Sequence, residues 1–186
     1  KEDYAYYTTW GKTTRAIAAI IMVHADDNGL VLPPRIAPKQ VVIVPIKMTD
    51  EVMEVANNIK SELNKNNIVT YIDDTDKSAG FKFAEAEVNG IPVRIEIGPR
   101  DLENNQITFV RRDTSEKLTE SKDIDVVKYV SELLETIQKD MYNRAVERRD
   151  KLTFTAKNLE EMENILNTQP GFIHADWCGD VNCEIK

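Results

Sequence analysis

The spacing of apolar positions divides the chain into alternating helix and strand candidates. Thr14–His24 predicts a helix, and Ala16, Ile17, Ile20, Ile21 and Met22 make it apolar almost all round. Such a helix is expected to be buried on most sides. Pro33, Pro34 and Pro38 interrupt the pattern and predict an extended linker over Leu32–Gln40. Val41–Ile46 is an unbroken run of β-branched residues closed by Pro45, the mark of a central strand. Thr49 then caps a helix, with Asp50 and Glu51 at its positive end and Val52, Ala56, Ile59 and Leu63 along one face. Ile68–Ile72 predicts a second strand, Asp73–Gly80 a polar loop, and Phe81–Val88 a short helix ended by Asn89 and Gly90. Ile91, Val93, Ile95 and Ile97 alternate with Pro92, Arg94 and Glu96, a period of two that predicts a strand. Gly98 and Pro99 stop it, and Gln106–Arg111 is a further strand. Asp123–Arg149 is a long amphipathic helix with Val127, Val130, Leu134, Ile137, Met141 and Ala145 in one stripe. The alternation predicts an α/β layer with a mixed, largely parallel sheet over residues 41–145.

Composition narrows the class. Apolar residues are 41% of 186, enough for a real core, and the longest early apolar run, Ala16–Val23, is far too short to span a bilayer. Two cysteines exclude a disulfide scaffold and fit a reducing, cytoplasmic setting. Lys and Arg number 24 against 32 Asp and Glu, a net charge of −8 that argues against general nucleic-acid or membrane adhesion. A small, shaped basic patch remains compatible with it. Most of the acidity lies beyond residue 112. The start has neither an initiator Met nor a signal-peptide pattern, and the chain reads as a piece of something longer.

The chemistry on offer is limited. There is no GxxxxGK[ST] loop, no GxGxxG after a strand and no GxSxG elbow, and the only histidines are His24 and His174. Three constellations stand out, each with two readings. In the first, Trp10, Gly11, Thr13 and Arg15 precede the apolar helix, so Arg15 either lines a cleft or is a solvated helix start. Second, Phe81 and Phe83, interleaved with Lys82 and followed by Arg94 and Arg100, either stack bases and hold phosphate or form a core pair with solvated charges. The third, His174, Cys178 and Cys183, is either part of a zinc site or contains two ordinary thiols.

The same residues carry a family resemblance. TTWGKTTR at Thr8–Arg15 and MVHADDNGLVLPPRIA at Met22–Ala37 resemble the third signature region of class II prolyl-tRNA synthetases. IPVRIEIGPRD at Ile91–Asp101, and GFKF at Gly80–Phe83 with Glu85 and Glu87, resemble the anticodon-binding domain of those enzymes. WCGDVNC at Trp177–Cys183 resembles the C-terminal zinc domain of their archaeal and eukaryote-like type. The resemblance implies the end of a catalytic domain at 1–40, an anticodon-binding domain at 41–145 and a partial α/β zinc-type domain at 146–186.

It also implies roles. Arg15 matches the catalytic arginine that contacts ATP, with Thr13 beside it, while Trp10 and Gly11 match the proline pocket. Lys82, Glu85, Arg94 and Arg100 are expected to contact the anticodon, whose bases include a G-G pair, and Cys178 and Cys183 match two of four zinc cysteines. The expected partners are tRNA(Pro), proline, and ATP with Mg2+; Zn2+ would find an incomplete site. A homodimer through the catalytic domain, a cytoplasmic location and no membrane complete the expectation. The first two signature regions are absent, so this chain alone is expected not to form prolyl-adenylate. Two other classes stay open: a non-catalytic RNA- or protein-binding module of the same fold, and a flavodoxin-like small-molecule binder.

Overall fold

The computed structural model describes residues 5–184. The chain forms two compact units, Lys1–Met141 and Tyr142–Lys186. In the first, helix α1 (Arg15–His24) is followed by β1 (Val41–Pro45), α2 (Asp50–Lys65), β2 (Thr70–Ile72), α3 (Ala79–Val88), β3 (Val93–Ile97), α4 (Pro99–Glu103), β4 (Gln106–Arg111), β5 (Lys117–Ser121) and α5 (Val126–Lys151), whose residues from Tyr142 on belong to the second unit. The five strands form one mixed sheet in the order β2-β1-β3-β4-β5. β1 pairs in parallel with β2 and β3, whereas β3-β4 and β4-β5 are antiparallel.

The two faces of the sheet follow from its period of two. Val41 and Ile43 of β1, Val93, Ile95 and Ile97 of β3, and Ile107 and Phe109 of β4 meet α2 and α5 in the main core. α2 contributes Val52, Ala56, Ile59 and Leu63, and α5 contributes Val126, Val130, Leu133, Leu134, Ile137 and Met141. Val42 and Val44 face the other way, against Ala86 of α3 and Ile91. Capping chemistry starts α2 where the sequence predicts, and starts α3 at Ala79, two residues before the predicted Phe81. Thr49 Oγ1 accepts from the Val52 amide, and Ser78 Oγ accepts from the Phe81 amide.

Besides the earlier start of α3 and the short α4 (Pro99–Glu103), which the sequence reading lacks, three elements depart from it. None of the ten residues of α1 is buried, and Ile17, Ile21 and Met22 are exposed. An all-apolar helix needs partners on several sides, and no described element covers this one. Strand β2 begins at Thr70, because Asn67 takes a positive φ of 62° and the Ile68 amide bonds back to Leu63 O, closing α2. Strand β5 was not anticipated. Leu118 is the only apolar residue in Lys117–Ser121, as suits a half-exposed edge strand.

In the second unit, β6 (Thr153–Ala156) and β7 (Phe172–Ala175) pair in parallel and are joined by α6 (Leu159–Thr168), a small βαβ arrangement followed by the short α7 (Val181–Glu184). No helix among the described residues is long and apolar enough to cross a membrane.

Candidate nucleic-acid interface

The face of the sheet turned toward α3 is polar over β3, β4 and β5. Register builds it in two rows. Arg94 lies opposite Val110, which lies opposite Lys117; Glu96 lies opposite Thr108, which lies opposite Thr119. Arg94 and Glu96 are two apart on one strand and therefore share this face.

Arg94 is the centre of the arrangement. Its Nε donates to Glu96 Oε1 at 3.0 Å, and its Nη1 donates to Glu87 Oε1 on α3 at 3.0 Å. The guanidinium lies over the Phe83 ring, 4.4 Å from its centroid. Lys117 Nζ donates to the second oxygen of Glu96 at 3.3 Å. The side chains of Arg94 and Glu96 are each only 8% exposed, whereas Glu87 is 37% and Lys117 59% exposed. Buried ion pairs stabilise weakly, since desolvation offsets most of the attraction. What this network does achieve is orientation. Arg94 is locked on an aromatic plane, with one carboxylate on its inner side and a half-exposed one on its outer side.

Such a site can read a base. The half-exposed Glu87 carboxylate can accept guanine N–H groups and an aromatic ring offers a stacking surface, while the Arg94 donors, engaged by Glu96 and Glu87, hold that carboxylate in place.

The other residues expected at an RNA contact occupy different places. Lys82 is 2% exposed, and its Nζ donates to the Asp73 carbonyl at 2.9 Å, so its ammonium is turned into the protein. Glu85 accepts from Lys77 Nζ at 2.8 Å on the surface of α3. Arg100 is exposed at the start of α4. With Ile46, Lys47, Gly98, Pro99 and Asp101 it lines a cavity of about 550 Å³. That cavity opens beyond the carboxyl ends of β1 and β3. The chain passes to β2 on one side of β1 and to β3 on the other, the switch point where open α/β sheets place ligands.

Residues toward the start of the chain stand apart from this face. Trp10 is 94% exposed, and Gly11, Thr13 and Arg15 are exposed too; the Thr13 hydroxyl accepts from the Arg15 amide. Asp26 does reach the sheet unit. Its carboxylate accepts both Nη groups of Arg112, at 2.6 and 2.7 Å, and this hydrogen-bonded guanidinium holds its pKa below the usual carboxylate range.

In the second unit His174 is exposed on β7 and Cys178 is exposed, while the Cys183 side chain lies outside the described part. Among the described residues no group of three or more His, Cys, Asp or Glu could hold a metal ion.

Sequence reasoning missed Glu96, Lys117 and Asp26, and it reads Arg112, at a strand end, as solvent-facing where the structure buries it. The Arg94–Glu96 spacing was a usable signal, whereas Lys117 needed the register and Asp26–Arg112 needed the fold.

Comparison with known proteins gives the family. The family described as "Anticodon binding domain" matches residues 40–139, more than half of the chain. The chain belongs to the anticodon-binding-domain family. Across its whole length it is a homologue of prolyl-tRNA synthetases. It is 51% identical over 187 residues to the proline--tRNA ligase of Clostridium botulinum (strain Loch Maree / Type A3), covering 100% of this chain and 39% of that protein. The proline--tRNA ligase of Mesoplasma florum is 49% identical, over 99% of this chain and 38% of its own length. The crystal structure of prolyl-tRNA synthetase from Cryptosporidium parvum complexed with L-proline and AMP superposes with a TM-score of 0.85 at 35% identity, over 92% of this chain and 38% of that one. The chain thus spans about two fifths of the length of the relatives it matches. Arg94, Glu96, Glu87 and Phe83 all lie inside the segment matched by the anticodon-binding domain.

Proposed function

We propose that this chain is the tRNA-reading part of a proline–tRNA ligase, and that Phe83, Glu87, Arg94 and Lys117 form the surface that meets the anticodon. The observation that carries the reading is the Arg94 guanidinium, stacked on Phe83 and bracketed by Glu96 and Glu87. In the bound state Glu87 accepts guanine N–H groups, and Phe83 with Arg94 supplies the plane on which a base stacks. Arg100 and Lys47, both exposed beside the switch-point cavity, take phosphates. Lys82 acts from within, fixing the loop at Asp73 to α3, and Glu85 steadies the outer surface of α3 through Lys77. Reading base edges needs few positive charges, which reconciles RNA binding with a net charge of −8.

The whole enzyme in this reading activates proline with ATP and esterifies the 3′ end of tRNA(Pro). Support comes from the proline--tRNA ligase relatives and from the Cryptosporidium enzyme, whose structure holds L-proline and AMP. Arg15 stabilises phosphate charge there, beside Thr13, with Trp10 and Gly11 at the proline pocket; this role needs no proton transfer. A homodimer through the catalytic part and a cytoplasmic setting belong to the same reading. Mg2+ accompanies the nucleotide and offsets its charge. The described residues do not form a metal site, so neither Mg2+ nor Zn2+ is assigned to them.

The test is binding of this chain to a prolyl anticodon stem-loop, beside one with the G-G pair replaced, across a salt series. A preference for the G-G loop of roughly 10-fold or more that survives moderate salt is expected, and Glu87→Ala abolishes it. Equal, steeply salt-dependent binding to both loops would mean phosphate contact alone and would refute base reading.

A further inference from the structure

Glu87 is held from two sides by two different arginines. Arg94 holds its carboxylate, and Arg112 Nε donates to its backbone carbonyl at 3.0 Å. The Nη groups of that same Arg112 grip Asp26, 86 residues away in the chain. Arg112 is 4% exposed at its side chain and Asp26 44%.

The surrounding backbone is built for this contact. The Leu30 amide donates to Val88 O and the Leu32 amide to Gly90 O, so residues 30–32 run alongside the end of α3. Two glycines allow the approach. A Cβ on Gly29 would sit 2.6 Å from the Val88 Cα, and a Cβ on Gly90 would sit 2.6 Å from the Leu30 Cβ. Both glycines have positive φ, 134° and 67°. The Arg112 amide itself is tied to Pro92 O at 3.0 Å, which fixes the base of the side chain. Asp26 lies two residues beyond the end of α1, the helix that begins at Arg15.

We propose that Arg112 is a positioning residue that joins Glu87 to Asp26, so that the guanine-reading carboxylate and the segment leading back to Arg15 move as one piece. The inference rests on the RNA-reading assignment of Glu87. A guanidinium suits the task because its planar fork serves two acceptors on one side and leaves Nε for a third. Lysine offers a single point charge and cannot span both. Occupancy of the Glu87 carboxylate by a base is then registered in residues 26–32, and displacement of that segment alters base reading in return.

The experiment uses this chain, a G-G anticodon stem-loop and the same stem-loop with the pair replaced by adenines. Arg112→Lys and Asp26→Asn break the clamp. Arg35→Gln is the control, since it breaks a different ion pair far apart in sequence, an exposed one with Glu135, and touches neither Glu87 nor Arg112. Circular dichroism verifies folding, and Asp26→Asn, at a half-exposed site, keeps the test alive should Arg112→Lys fail to fold. Discrimination between the two loops is expected to fall about fivefold or more in both clamp variants, with binding to the adenine loop unchanged and Arg35→Gln like the unaltered chain. Amide exchange at Leu30 and Leu32 is expected to slow on adding the G-G loop to the unaltered chain and not to Asp26→Asn. A folded clamp variant that discriminates like the unaltered chain, or exchange at Leu30 and Leu32 indifferent to RNA, overturns the clamp while leaving the RNA-reading assignment intact. No guanine preference in the unaltered chain removes that assignment and the clamp together.

Discussion

Replacing Glu96 by leucine tests what the buried Arg94 network is for. Glu96 accepts from Arg94 Nε and lies 3.0 Å from Arg94 Nη2, with both side chains 8% exposed. Its loss leaves a nearly buried guanidinium with one half-exposed carboxylate, Glu87, and a long contact of 3.5 Å to Phe83 O. Breaking a buried pair from one side costs 3–5 kcal/mol, and the surviving Glu87 contact places Glu96→Leu near the lower end, about 3 kcal/mol. That corresponds to a melting temperature lower by roughly 6–12 °C. Arg94→Met combined with Glu96→Leu removes both charges and restores an apolar fit, so the double variant should return to within about 1 kcal/mol of the unaltered chain. Unfolding in urea followed by far-UV circular dichroism measures the unaltered chain, Glu96→Leu, Arg94→Met and the double variant. Tryptophan fluorescence would not serve, because Trp10 and Trp177 are 94% and 82% exposed. The folded double variant should then fail to distinguish the G-G stem-loop from its replacement. A single variant that loses under about 1 kcal/mol would show that the pair is not desolvated as described. A double variant that still reads guanine would show that the network serves packing, and the argument for a reading surface would fall.

Three further outcomes follow from the geometry. Gly90→Ala forces a left-handed φ of 67° on a residue with a Cβ and drives that atom into Leu30; a loss of about 2 kcal/mol or more in urea unfolding is expected, and a neutral result would contradict the close approach. Arg100→Ala should weaken both stem-loops alike and lower the slope of log K against log salt by about 1, whereas a change confined to the G-G loop would make Arg100 a base reader. The clamp should also have a defined pH range. Because Arg112 depresses the Asp26 pKa in the folded chain, its stabilisation is present above the ordinary carboxylate pKa and is lost as pH falls through the lower folded value. Guanine discrimination by a chain with an intact clamp should therefore be flat between about pH 5 and 8, and a midpoint near neutrality would point to another group.

Much of the fold was legible because it is written in local patterns. The all-buried β1, the alternation of β3, the apolar face of α2 and its Thr49 cap each follow from spacing that a single segment carries. Arg94 was legible as a candidate for the same reason, and the motifs around it carried the family resemblance. Burial was less legible. Lys82 reads as a surface cation beside two aromatics, yet the turn of α3 aims it at the Asp73 carbonyl. α1 reads as a core helix and is exposed, because apolar character states a need for a partner and not its presence. Only tertiary structure decided which charges meet. Lys117 meets Glu96 through strand register, and Asp26 meets Arg112 across 86 residues. Periodicity depends on near neighbours along the chain, so a sequence contains it. Register and long-range ion pairs depend on how distant segments are brought together, and that is settled only when the whole core packs.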